Sequence, residues 1–83
     1  MNFRIVRDAG ITQEEFAQLV PTSRVTVNLW VRGKMNPASD KQERVEALLS
    51  RIEQAVEANR LPIGKTPRTS RKERLNAALM LND

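Results

Sequence analysis

Apolar residues recur along this chain three and four positions apart, in segments that glycine and proline separate. Such spacing is typical of helices that bury one face. The first segment predicts a helix over residues 2–9, with Phe3 and Val6 on its buried face. Gly10 follows and is placed to end this helix as a left-handed C-terminal cap.

A second helix is predicted to begin after Thr12. Thr12 followed by Glu15 is the pattern of a capping box, in which the hydroxyl accepts a helix N–H and the carboxylate reaches back to the Thr12 amide. Three side chains should be buried: Phe16, Ala17 and Val20. The helix must stop at Pro21, because the residue before a proline avoids the helical region and proline has no N–H to donate.

The next segment, RVTVNLWV, alternates β-branched residues and resembles a strand when taken alone. Its flanking residues favour a helix over residues 24–32. Ser23 is a good N-cap, and Gly33 is well placed as the left-handed residue that ends a helix.

A fourth and longer helix is predicted over residues 40–59, with Ser39 and Gln42 as its capping box. Its buried stripe consists of Val45, Leu48, Leu49, Ile52, Ala55 and Val56. The stripe is longer than a small three-helix head can cover. Its distal part needs a cover, either the chain's own Leu61, Ile63, Leu75 and Leu79 or a second copy of the chain.

Residues 61–69, LPIGKTPRT, read as a linker or an irregular arm. Ser70 with Glu73 suggests one more capping box before a short helix, whose shared face consists of Leu75, Ala78 and Leu79. The chain is thus predicted to be all-α, a bundle of four to five helices, with a domain of four helices over residues 1–60 and a C-terminal extension over residues 61–83 that holds the linker and the last short helix. The extension could be a clasp, a dimerisation element or a basic arm on phosphate, and we favour the dimerisation element.

Composition excludes several kinds of chemistry. The chain has no cysteine and no histidine, which removes disulfides, thiolate and imidazole catalysis, and nearly all transition-metal sites. Neighbouring Glu14 and Glu15 point to different sides of a helix, so they do not form a catalytic pair. We therefore predict no enzyme, no cofactor and no metal. The chain also lacks a membrane span and a signal peptide, so a cytoplasmic protein is expected.

Charge and size add two expectations about partners. The net charge of +4 favours polyanions such as nucleic acid, and most of the excess is in the extension, where five basic residues face two acidic ones. At 83 residues a single core is marginal, so self-association is expected.

The predicted third helix has two different sides. At 100° per residue, one side should pack on the first two helices through Val27, Trp30 and Val31. The other carries Arg24, Val25, Asn28, Leu29 and Arg32. Such a mixed face suits the DNA major groove, where guanine offers two acceptors to arginine and thymine offers a methyl group to apolar side chains. Arg24 and Asn28, with Val25 and Leu29, are therefore the candidate base contacts.

Residues 12–33, TQEEFAQLVPTSRVTVNLWVRG, resemble without gaps the helix-turn-helix of the Cro and lambda-repressor-like (Xre-type) regulators. FRIVRDAGI resembles that family's first helix and connecting glycine, whereas residues 61–83 have no counterpart. Two positions depart from the family pattern. Pro21 stands where a glycine with positive φ is usual, and Thr22 stands where an apolar residue is common.

The resemblance implies a lambda-repressor-like helix-turn-helix DNA-binding domain over residues 1–60. It also implies a homodimer that binds double-stranded DNA at an inverted repeat and acts most simply as a repressor. The same base-contact positions follow from it, and Gln13 is added as a residue that touches phosphate and braces the third helix. The remaining expected backbone contacts are Ser23, Arg32, Lys34 and Asn36.

Two other functional interpretations stay open. The protein could be an antitoxin or adaptor whose C-terminal third, residues 61–83, binds a protein partner. It could bind nucleic acid without sequence preference through its basic tail. Arg24 and Arg32, taken singly, are what any solvated surface carries, and Trp30 is expected in the core, not as a stacking platform.

Overall fold

The computed structural model describes residues 1–65 and 67–81, and the regular structure within them is entirely helical. The five α-helices are α1 (Arg4–Asp8), α2 (Gln13–Leu19), α3 (Arg24–Val31), α4 (Ser39–Glu57) and α5 (Arg71–Ala78), and a 3-10 turn at Arg68–Ser70 leads into α5. The all-α prediction is confirmed. Residues 66, 82 and 83 of the predicted extension lie outside the described residues.

The caps around α2 and α3 match their sequence signals. Gly10 and Gly33 both have φ +71°, in the left-handed region. The Thr12 N–H donates to Glu15 Oε1, and the Glu15 N–H donates to Thr12 Oγ1, both at 3.0 Å. Ser23 Oγ accepts the Thr26 N–H at 3.1 Å. These local hydrogen bonds fix where α2 and α3 begin, and the left-handed glycines follow the ends of α1 and α3.

Two predicted capping boxes are wrong. Ahead of α4, Ala38 takes the extended N-cap conformation, so Ser39 is already helical, and the Gln42 amide donates to the Pro37 carbonyl instead. Ahead of α5, Ser70 has φ −101° and ψ −5° and its hydroxyl caps no N–H. The preceding 3-10 turn puts Ser70 in a helical conformation, whereas a side-chain N-cap needs an extended one.

The turn between α2 and α3 is built without a left-handed residue. The Val20–Pro21 peptide bond is cis, and the Thr22 N–H donates to the Ala17 carbonyl at 2.7 Å. From α4, the Arg44 guanidinium donates twice to the Leu19 carbonyl, at 3.1 and 3.3 Å. Pro21 therefore ends α2 as predicted, and the reversal of the chain keeps α2 and α3 in contact.

One hydrophobic core joins the N-terminal helices, α4 and the C-terminal segment, which we define as the described residues from 61 to 81. Leu61, Leu75 and Leu79 are buried together with Ile52 and Ala55 of α4. The distal stripe of α4 is thus covered by the chain's own C-terminal segment, as a clasp. Association of two copies stays a prediction.

Polar contacts hold the end of α5 on α4 and on the residues that follow α4. The Arg51 guanidinium donates to the carbonyls of Leu79 and Met80, at 3.1 and 2.9 Å. The Arg60 guanidinium donates to the Ala78 carbonyl at 2.9 Å. Because these carbonyls lie at the negative end of the helix, the arginines satisfy both their hydrogen bonding and their charge.

Candidate nucleic-acid interface

The two sides of α3 differ in burial as the spacing predicts, with one exception. Val27 is fully buried and Trp30 is 3% exposed. Phe3 stacks on the Trp30 ring with centroids 6.0 Å apart, so Trp30 belongs to the core. The predicted burial of Val31 is wrong, since 40% of this residue is exposed. It lies in the last turn of α3, where the chain turns away at Gly33.

The opposite side of α3 presents the predicted mixed surface. Arg24 and Val25 are exposed at its start, Val25 at 70%, whereas Asn28 and Leu29 are half-buried one turn later. Contact of the Val25 side chain with another surface would remove apolar area from water, and the free energy would fall.

A hydrogen bond from α2 supports the centre of this surface. Asn28 Nδ2 donates to Gln13 Oε1 at 3.1 Å, and Gln13 is the first residue of α2. The bond uses one Asn28 donor and leaves the Oδ1 acceptor and a second N–H of that amide. It also fixes the rotamer of Asn28, so its remaining polar groups are held in one orientation. Gln13 therefore braces Asn28 directly.

The other predicted backbone contacts fall at the two ends of α3. Ser23 is exposed, but its hydroxyl caps α3 and lies 2.8 Å from Thr26 Oγ1. Arg32, Lys34 and Asn36 are exposed at and after the C-terminal end of α3. The Lys34 N–H donates to the Leu29 carbonyl at 2.9 Å, which holds the start of this loop against the helix.

An ion pair joins α2 to α5. Arg71 Nε lies 2.9 Å from Glu15 Oε2, and Arg71 Nη2 donates to Glu15 Oε1 at 3.1 Å and to the Gly10 carbonyl at 3.0 Å. The Arg71 hydrogen bond lowers the pKa of the Glu15 carboxyl from its usual value, and Glu15 raises that of Arg71, although partial burial opposes both shifts. Glu15 thus serves two contacts, the cap of α2 and the docking of α5.

The ion pair brings basic residues of the C-terminal segment beside the predicted interface. A groove of about 820 Å³ runs between α2 and the start of α3 on one side and the 3-10 turn and α5 on the other. Arg68 and Lys72 line it together with Arg24 and Gln13. No local sequence signal places these residues together, because the pair that docks α5 joins positions 15 and 71.

Neither a metal site nor a membrane-spanning helix is found in residues 1–65 and 67–81. No group of acidic, histidine or cysteine side chains there could hold a metal ion. No helix of that part of the chain is long and apolar enough to cross a bilayer.

A scan against protein-family models, a search of curated proteins and a search of solved structures each find no match to this chain. Its function is therefore inferred from its own residues and their geometry. The features that bear on it are the exposed side of α3, its support from Gln13 and the adjoining basic groove.

Proposed function

We propose that this protein is a sequence-specific regulator that binds double-stranded DNA with α3 in the major groove. The observation that carries the proposal is the exposed side of α3, where arginine, valine, asparagine and leucine stand together and the asparagine is braced from α2. A short helix packed on a second one across a tight turn is the arrangement that presents a helix to DNA.

The side chains on this surface match the groups of the major groove. Arg24 donates to the O6 and N7 acceptors of a guanine, and the remaining polar groups of Asn28 pair with an adenine edge. Val25, and Leu29 where it is exposed, contact thymine methyl groups. Burial of Val25 in that contact removes the cost of its 70% exposure.

In the proposed complex, residues around α3 contact the DNA backbone and set the position of α3 along the duplex. Gln13 lies beside the middle of α3 through its bond to Asn28, and Ser23 lies at the start of α3. The end of α3 is followed by Arg32, Lys34 and Asn36. Bonds to phosphate oxygens on both sides of the groove position the helix without reading sequence.

The proposed protein binds as a homodimer at an inverted repeat. An eight-residue helix is about 12 Å long and spans only a few base pairs, so one copy specifies a short site. Two copies whose α3 helices lie about 34 Å apart read both halves of a longer one. Occupancy of a promoter would then repress transcription.

The C-terminal segment does not favour an antitoxin or adaptor role. Its apolar residues Leu61, Leu75 and Leu79 are already buried against α4. A protein partner that used them would first have to displace them from the core.

Substitution of Arg24 tests the assignment of base contacts. Arg24→Ala should cost about 1–3 kcal/mol on the preferred duplex and relax preference at one base pair. Arg74→Ala is the matched control, because Arg74 is exposed and lines a different groove. Binding to duplexes with each base substituted in turn measures both effects. Equal base preference in Arg24→Ala and the parent would refute the role of Arg24.

A further inference from the structure

Polar side chains line both sides of the groove between α2 and the C-terminal segment. Gln13, Gln18 and Arg24 line one side, and Arg68, Lys72 and Asn76 line the other. Their side chains end in amides, guanidinium groups and an ammonium group, all of which donate hydrogen bonds. The groove is thus rich in donors and open to solvent.

The groove carries more positive than negative charge. Arg24, Arg68 and Lys72 are exposed and form no ion pair with any described residue in 1–65 and 67–81. Glu15 also lines the groove, but its carboxylate is neutralised by Arg71 at 2.9 Å. Glu14 is the remaining acidic side chain in the lining. Three cations thus stand against one free carboxylate, an arrangement that attracts an anion.

The turn and helix that carry Arg68 and Lys72 are docked on the rest of the fold. Arg71, between Arg68 and Lys72 in sequence, is fixed to α2 through Glu15, and Leu75 one turn later is buried in the core. Phosphate contacts from a docked helix cost less ordering entropy than contacts from a free basic tail. Arg74, on the same helix, faces the other way and lines a separate groove with Glu73 and Ile63.

We propose that Arg68 and Lys72 bind backbone phosphates of DNA beside the bases that α3 reads, which makes the C-terminal segment part of the DNA-binding surface. This inference rests on the proposed function. DNA is the expected occupant because the groove is continuous with the proposed interface: Arg24 lines the groove and also begins the exposed side of α3. A duplex on α3 carries a negative charge for every 1.7 Å or so of its axis, so phosphates continue past the bases α3 contacts.

The test compares the double variant Arg68→Gln, Lys72→Gln with the double variant Lys65→Gln, Arg74→Gln. Both remove two exposed positive charges from the C-terminal segment, but only the first removes them from the groove. The probes are a duplex that the parent protein selects from a random-sequence pool and a scrambled duplex of the same composition. Fluorescence anisotropy over a series of salt concentrations gives the dissociation constants.

In the groove variant, the slope of log affinity against log salt should fall by about 1.8, since each phosphate contact contributes about 0.9. Affinity should fall by the same factor on both probes, with base preference unchanged, because phosphate contacts carry no sequence information. The control variant should keep nearly the parent slope. Circular dichroism and urea unfolding of all three proteins verify that the fold is intact.

A third substitution tests the sign of the groove's electrostatics. Glu14→Gln removes its free carboxylate and should tighten binding to both probes. The inference is overturned if the groove variant keeps the parent slope, or if it loses no more than the control. The proposed function fails by a different result, namely equal affinity of the parent protein for the selected and scrambled probes.

Discussion

Truncation of Leu79 tests whether the C-terminal segment is part of the core. Leu79 is 1% exposed and packs in the same cluster as Ile52 of α4. Replacement of a buried leucine by alanine removes its contacts and leaves a cavity, at a cost of about 2–5 kcal/mol. Leu79→Ala should therefore remove a large share of the stability of the whole fold.

The size of that share follows from the length of the chain. At about 0.05–0.15 kcal/mol per residue, 83 residues give a free energy of unfolding of about 4–12 kcal/mol. A loss of 2–5 kcal/mol thus shifts the urea midpoint strongly and leaves a protein near the lower limit partly unfolded in buffer.

Urea unfolding followed by Trp30 fluorescence and by circular dichroism measures the effect. Trp30 is the only tryptophan and belongs to the same core cluster as Leu79, but it is buried among the N-terminal helices, so it reports whether loss of the C-terminal contact destabilises the rest of the fold. Met80→Ala is the matched control, because Met80 is 63% exposed and should change stability by less than about 0.5 kcal/mol. If Leu79→Ala were as stable as Met80→Ala, the clasp and the groove that depends on it would both be wrong.

Two further predictions concern the ion pair and the end of α5. The lowered pKa of Glu15 means that its contribution to stability is complete above about pH 4.3, the unfolded value, and is lost as pH falls through the lower folded pKa. The stability difference between the parent and Glu15→Gln should therefore stay constant from about pH 7 to about pH 5 and shrink as the pH falls below about 4.3 in urea titrations, and a difference that does not shrink at low pH would contradict the pair. Met80 has φ +58°, so Met80→Gly should relieve about 1–2 kcal/mol of backbone cost against about 0.5–1 kcal/mol of added chain entropy, a net gain of up to about 1.5 kcal/mol in thermal unfolding. A lower melting temperature would show that the exposed methionine contributes packing.

The sequence predicts the N-terminal helices well because their signals are local. Thr12 with Glu15, and Ser23 with the helix that follows, satisfy backbone groups within a few residues, so the pattern and the structure agree. The two wrong capping boxes show the limit of this reasoning. Ser39 and Ser70 have the right neighbours, but the backbone before them sets a helical conformation that leaves nothing to cap.

The position of the C-terminal segment could not be predicted in the same way. Its apolar stripe shows that it needs a partner, and either α4 or a second copy satisfies that need equally well at the level of pattern. The pairing of Arg71 with Glu15 ties the start of α5 to α2, and this contact between distant positions has no local signal in the sequence. The basic groove follows from that contact, so the sequence offers phosphate contacts from the basic extension only as one alternative and does not single out Arg68 and Lys72.

Selection of bound duplexes from a random-sequence pool is the most direct test of the central claim, that α3 reads DNA. The purified protein is mixed with the pool, and the retained duplexes are sequenced over several rounds. The account predicts enrichment of an inverted repeat whose half-sites lie about one helical turn apart, 34–36 Å between centres. Retention of duplexes without any enriched sequence would contradict it.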